Sequence, residues 1–305
     1  MAVHRARNGS VELAYEVIGA PGGEPLLLIM GLDSPMRWWP DGFCLELAER
    51  GFTVARFDNR DTGRSTRSVG QVSGVGGLGK CTHRATAAYS ARDLFDDAGA
   101  VLDALGWPSA HLVGQSLGAS IAVGLGLRHP DRTRTIVSLS GLPRGYRLAE
   151  AARYVDPVGL ARMARVTARR PRTREQDVSQ QVALARMQAA RSQPFDERWA
   201  RETAEQVAAD GPGDPATAAR QLTAIRAGSR LLRHPERLTV PLLAIHGAED
   251  PLLRPSSATA LARAVPEGRA LVLAGMGHEV PRRLWTALAD EIARNADRAH
   301  VLSGQ

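Results

Sequence analysis

Lysine is nearly absent from this 305-residue chain, cysteine is rare, aromatic residues make up 5%, and no long apolar run occurs. The two cysteines, Cys44 and Cys81, lie far apart, with no Cys-x-x-Cys pair and no histidine at ligand spacing. That excludes a disulfide framework and a zinc site, and leaves two free thiols. No apolar stretch approaches the roughly 18 residues of a membrane span. The amino terminus, Met1-Ala2-Val3-His4-Arg5-Ala6-Arg7-Asn8, has no apolar stretch of the secretory kind, so a cytoplasmic location is expected. No internal repeat of solenoid length is present.

With Lys80 the only lysine, the net charge of +7 rests on arginine. Residues 144–235 hold 17 arginines against 10 acidic residues, which is the whole surplus. These arginines are scattered among Ala, Gln and Glu at helical intervals, without interleaved aromatic platforms. The pattern is that of a solvated helical face with a mild pull on anions, and it argues against a nucleic-acid partner. A membrane partner is not expected either.

What the chain does have is a sheet signature. Asn8-Gly9 is a strong hairpin signal, and Val11, Leu13, Tyr15 and Val17 alternate with Glu12, Ala14 and Glu16, which predicts an antiparallel edge hairpin with one wet face. After the turn at residues 19–23, Leu26 to Met30 is apolar on both faces, as a central parallel strand requires. Phe52 to Phe57, Ala110 to Gly114, Thr135 to Leu139, Leu242 to His246 and Ala270 to Leu273 repeat that pattern. Helical stretches are predicted between them, over Phe43 to Arg50, Ala91 to Leu105, Ser120 to Arg128, Ser256 to Val265 and Arg282 to Arg294. Strand alternating with helix means a doubly wound, mostly parallel α/β sheet. Between Arg144 and His234 the alternation stops, and several helices broken by proline and glycine form an insert after the sixth strand. The expected organisation is a core of residues 1–143 and 236–305 with an Arg-rich helical cap over 144–235.

Two phosphate-binding patterns are decoys. Gly74, Gly76 and Gly79 satisfy G-x-G-x-x-G, and Gly74 with Gly79-Lys80 approaches a P-loop. Both patterns need a strand before and a helix after. Residues 68–73 form no buried strand, and Cys81 stands at the P-loop Ser/Thr position. Ser68 to Ala88 therefore reads as a loop at the rim of the sheet.

The chemistry centres on Gly114-Gln115-Ser116-Leu117-Gly118, which follows a strand and opens a helix. Such an elbow is strained and tightly packed, hence the flanking glycines. A serine hydroxyl at neutral pH needs a base to become a nucleophile, and the base needs a carboxylate to orient it. In this topology both belong on loops after later strands, acid first and histidine second. Gly247-Ala248-Glu249-Asp250-Pro251 and Gly275-Met276-Gly277-His278-Glu279 fit, so Asp250 and His278 are the candidates with Ser116. Glu249 is the rival acid; the Asp-Pro turn favours Asp250. Among other histidines, His246 ends its strand and is expected to pack in the sheet. His111 lies within a strand, His129 and His234 precede prolines, and His4, His83 and His300 lie in terminal or loop stretches. The backbone N–H groups of Leu117 and Leu32 are the candidate oxyanion donors. Trp38, Trp39 and Leu142 are candidate walls of the substrate pocket, with loop anchoring as the alternative for the two tryptophans.

The set Phe57-Asp58-Asn59-Arg60-Asp61-Thr62-Gly63-Arg64-Ser65, Gly-Gln-Ser-Leu-Gly, Gly-Ala-Glu-Asp-Pro and Gly-Met-Gly-His-Glu-Val-Pro resembles the α/β-hydrolase superfamily along nearly the whole core. In detail it is similar to the aclacinomycin methylesterase group of serine esterases, which remove a methyl ester from polyketide antibiotics. The resemblance implies a Ser116, Asp250 and His278 triad, with Asp58, Arg60 and Asp61 as loop scaffold. It departs at Met30, where many superfamily members carry histidine before the oxyanion glycine.

A serine hydrolase cleaving a carboxylic ester through an acyl-enzyme is thus expected, with a small-molecule ester as partner and no metal or organic cofactor implied. Serine at the elbow argues against dehalogenase and epoxide hydrolase chemistry, which use aspartate there. The same triad serves lactonases, thioesterases, amidases, acyl transferases and non-hydrolytic cyclases, and the fold also serves as a small-molecule receptor.

Overall fold

The computed structural model describes residues 2–68, 88–143 and 152–303. The Ser68 to Ala88 loop, apart from its ends, and Cys81 lie outside the described residues.

An eight-stranded sheet forms the centre: β1 (His4–Asn8), β2 (Val11–Ile18), β3 (Glu24–Ile29), β4 (Phe52–Phe57), β5 (Ala110–Gln115), β6 (Thr133–Leu139), β7 (Leu242–Gly247) and β8 (Gly268–Leu273). The order is β1-β2-β4-β3-β5-β6-β7-β8. β1 and β2 pair antiparallel with Asn8 opposite Val11, so Gly9 at φ +59° and Ser10 close a two-residue turn. β2 pairs antiparallel with β4, and every later pairing is parallel.

β4, β5 and β7 are buried at every residue, which is why their sequences carry no period-two pattern. Helices α2 (Ala91–Ala104), α3 (Leu117–Arg128) and α8 (Ser256–Ala264) cover one face, in a core with Leu94, Phe95, Leu112, Ile121 and Leu261. Helices α1 (Asp41–Glu49) and α9 (Trp285–Ser303) cover the other, around Leu28, Trp39, Phe43, Leu47 and Leu288. Cys44 lies in that second core as a free thiol, pushed up to about 12 by burial. Ser90 caps α2 in a reciprocal box with Asp93, an arrangement stabilising the helix by ~1 kcal/mol. Among the described residues no helix is long and apolar enough to cross a membrane.

The predicted wet face of β2 meets water only at its start, at Glu12. Glu16 is 1% exposed and accepts from Arg56 Nη2 at 2.7 Å, with Arg56 equally buried and also donating to the Trp39 carbonyl. β1 takes the edge, so β2 is an inner strand, and the residues after β3 fold over its second face. The polar residue on that face survives only because a guanidinium meets it.

Between β6 and β7 lie α4 (Pro157–Thr167), α5 (Arg174–Gln188), α6 (Glu197–Ala209) and α7 (Thr217–Ala227). This insertion after the sixth strand is the one the sequence predicts. Asp156, Thr173 and Asp196 accept backbone N–H groups at the starts of α4, α5 and α6. Its own apolar core is small: Val178, Val182 and Ala204, with Trp38 and Phe195 packed on them.

Candidate active site

Every parallel strand ends on the same edge of the sheet, and the candidate residues follow those ends. Leu32 follows β3, Ser116 follows β5, Leu142 follows β6, Asp250 follows β7 and His278 follows β8.

Ser116 has φ +53° and ψ −112°, a conformation side chains rarely adopt. The two glycines explain how it is held. A Cβ on Gly114 would overlap the Gly118 carbonyl, and one on Gly118 would overlap the Ile29 carbonyl at the end of β3. The elbow therefore sits directly against the loop that carries Leu32. Gly31 lies on it, where a Cβ would be 3.4 Å from Ser116 Cβ. Leu117 opens α3, where the first N–H groups have no intrahelical acceptor. The Leu32 N–H likewise meets no acceptor among the described residues.

Asp250 and His278 are joined directly: His278 Nδ1 lies 2.7 Å from Asp250 Oδ2, and both side chains are buried. Asp250 Oδ1 accepts the N–H groups of Leu252 and Leu253 at 2.8 and 2.9 Å, the turn that Asp-Pro sets up. Burial would raise the Asp250 carboxyl, but the His278 charge and hydrogen bonds from His246 and His278 hold it far below the ordinary carboxylate range. Burial would lower His278, yet Asp250, with Glu279 adding to it, leaves it above its ordinary value. Because Nδ1 faces a carboxylate, it carries the proton and Nε2 keeps its lone pair; the tautomer is assigned from this contact. Glu249, the rival acid, points elsewhere and accepts from the Ser192 N–H at 2.9 Å.

The His278 backbone is clamped on both sides. Its N–H donates to the Gln188 carbonyl at 2.7 Å, and its carbonyl accepts from Gln115 Nε2 at 2.6 Å. Gln115 thus links the elbow to the histidine loop. Ser116 Oγ itself makes no hydrogen bond among the described residues.

The Asp58 to Ser65 loop braces the same edge. Asp58 accepts from Met36 N at 2.7 Å and Arg64 N at 2.9 Å, and the space beside its carboxylate exists only because residue 63 is glycine. Asn59 Nδ2 donates to the Met30 carbonyl at 2.9 Å. Arg60 pairs with Asp97 at 2.7 Å, and Asp61 with Arg220 of α7 at 2.8 Å. Gln221, fully buried on α7, accepts the Asp33 N–H at 2.9 Å and donates to the Arg60 carbonyl at 3.1 Å.

Of the candidate pocket residues, Trp39 does not line a cavity. It is 0% exposed and stacks on Phe43 with centroids 6.0 Å apart, because the 3-10 turn at Met36–Trp38 aims it into the second core, under α1 and α9. Trp38 is half-buried, packed at the margin of that core and edge-on to Trp199 of α6 at 5.7 Å. Leu142 is half-buried beyond β6.

Sequence reasoning passed over Gln115, Gln188 and Gln221, and placed His246 merely in the sheet. His246 in fact touches Asp250. Only its spacing of four residues from Asp250 hinted at this. Among the described residues no group of three or more His, Cys, Asp or Glu could hold a metal ion.

A doubly wound sheet with a strained serine elbow, and a carboxylate–imidazole pair on later strand ends, defines a protein of hydrolase type. The family comparison gives the name: a model described as the alpha/beta hydrolase fold matches residues 24–281, and the chain belongs to that family. It is similar to rhodomycin D methylesterase DauP of Streptomyces sp. (strain C5), at 31% identity covering 95% of this chain and 97% of that protein. Rhodomycin D methylesterase DnrP of Streptomyces peucetius matches at 30% identity over 99% and 100%. A hydrolase from Pseudomonas aeruginosa PA01 shares the fold, with a TM-score of 0.69, 22% identity, and 96% and 97% coverage. The enzyme class this kinship supports is carboxylic-ester hydrolase.

Proposed function

We propose that this hydrolase cleaves a methyl ester of a polyketide-type secondary metabolite through an acyl-enzyme on Ser116. The observation that carries the mechanism is the buried 2.7 Å contact between Asp250 and His278 on the sheet edge that also holds the Ser116 elbow. In this reading His278 Nε2 takes the Ser116 proton as Oγ attacks the ester carbonyl. Asp250 keeps the imidazole in the required tautomer and stabilises the imidazolium. The N–H groups of Leu32 and Leu117 receive the developing oxyanion, helped by the start of α3. His278 then protonates the methoxide oxygen as it departs, giving methanol; it next deprotonates the water that attacks the acyl-enzyme and returns that proton to Ser116 Oγ as the acid is released.

The methyl-ester reading is supported by end-to-end similarity to two rhodomycin D methylesterases. The core, residues 1–143 and 236–305, supplies the chemistry in this reading. Residues 144–235 act as a cap, with Trp38 and Leu142 facing the substrate. A panel of methyl esters of aromatic polyketides, with ethyl esters, amides and thioesters of the same acids, tests it. Methanol release with the polyketide methyl esters preferred is the expected result. Equal or better turnover of amides or thioesters would replace the reading.

A further inference from the structure

The His246 ring lies at the end of β7, fully buried. Its Nε2 is 3.0 Å from Asp250 Oδ2 and 3.2 Å from the Leu253 carbonyl. Both neighbours are acceptors only, so Nε2 carries a proton. Its Nδ1 is 3.1 Å from Ser257 Oγ, whose single hydrogen is shared between that nitrogen and the Gly141 carbonyl 2.9 Å away. The ring is therefore held at both nitrogens and cannot flip without breaking a buried hydrogen bond. Asp250 Oδ2 is shared between two imidazoles, His278 Nδ1 and His246 Nε2, while Oδ1 is filled by two backbone N–H groups.

We propose that His246 is a positioning residue for the reaction, acting on His278 through the Asp250 carboxylate. The inference rests on the reading of Asp250 and His278 given above. Two consequences follow from sharing one oxygen. The second donor fixes the plane of the carboxylate, and with it the direction of the His278 ring. It also draws charge from Oδ2, so Asp250 favours the His278 imidazolium less than an unshared carboxylate would. His246 thus keeps the base from being held too strongly protonated. The groups that face this relay are Ser257 of α8 behind His246, and Asp250 and Glu279 beside His278.

The test compares His246→Leu, which removes the donor, with His246→Gln, whose side-chain N–H reaches the Nε2 position. For His246→Leu, kcat should fall about tenfold or more, the scale of one hydrogen bond to a charged group, with KM little changed. The acid limb of kcat/KM should move to higher pH, and the His278 ring should titrate higher by NMR. His246→Gln should recover most of kcat and most of the titration shift. Ser257→Ala, which loosens the ring without touching Asp250, should move the titration in the same direction by less, and it serves if His246→Leu fails to fold. An unshifted His278 titration in folded His246→Leu, or in folded Ser257→Ala if the leucine variant does not fold, overturns the proposal; so does a His246→Gln that behaves as the leucine variant. The NMR titration needs no turnover. A wild type that hydrolyses no ester would sink the proposed function while leaving this inference to be judged by the His278 shift.

Discussion

The sheet and the helical insert are held by different physics. Around the sheet, two large apolar cores bury whole strands, and the helices lie where hydrophobic faces require them. The insert has only a small apolar cluster of its own; its last helix lends Ala224 and Ile225 to the first core, and the rest meets the loops at the sheet edge through polar contacts. Three of these contacts matter. Gln221 reaches the Asp33 N–H, the Gln188 carbonyl takes the His278 N–H, and Val155 bridges to Leu253 beside Asp250. A sheet held by area is rigid and tolerant of surface change. An insert that meets the sheet edge through a few aimed hydrogen bonds and one apolar helix face can vary elsewhere in sequence while still fixing the loops beneath it. In the proposed reading, that division lets one core run one chemistry while the insert sets what reaches it.

Perturbations of each region should differ in kind. The largest effect belongs to the elbow: Ser116→Ala should lower kcat by ~10³-fold or more with the fold intact, as circular dichroism and steady-state kinetics would report. Next comes the core. Glu16→Ala takes one of two carboxylates from the buried Arg56 guanidinium, leaving Asp41 at 2.7 Å, and should cost ~1.5–3 kcal/mol in denaturant unfolding, with little change in kcat for the protein that remains folded. At the junction, Gln221→Leu orphans the Asp33 N–H and the Arg60 carbonyl. It should lower kcat/KM about tenfold through the Leu32 loop, with a stability loss of ~1–3 kcal/mol. An effect on stability alone would mean the insert does not tune the loop. On the insert's outer face, Arg201→Ala should change stability by no more than ~0.5 kcal/mol, since its carboxylate partners are exposed.

The pH profile sharpens the same contrast. His278 is raised above the ordinary histidine value, so a reaction needing the neutral ring loses activity as pH falls through that raised value. The acid limb of kcat/KM should therefore fall above pH ~6.5. A limb clearly below that would mean Asp250 does not support the imidazolium.

Most of the sheet was legible because burial on two faces leaves continuous apolar runs, and glycine and proline punctuate their ends. Ser116, Asp250 and His278 stood out because each sits just past such a run in a glycine-bearing loop. β2 misled because alternation looks the same whether its polar face meets water or a buried arginine; only Arg56, 40 residues away, distinguishes the two. Trp39 was open to two readings because two adjacent tryptophans in a turn are not buried alike: Trp39 is fully enclosed while Trp38 also reaches the insert. Gln188 and Gln221 were invisible because one acts through its backbone and the other is a single polar residue on an ordinary helix. The placing of His246 in the sheet was right, and its partner Asp250 came from the fold of the next loop.

The central claim is that the strained serine is chemically activated by the pair beside it. Treating the folded protein with a fluorophosphonate probe and mapping the modified peptide tests it most directly. The account predicts one label on Ser116, absent in Ser116→Ala and formed far more slowly in His278→Ala. No label on folded wild-type protein, or a label elsewhere with Ser116 untouched, would contradict it.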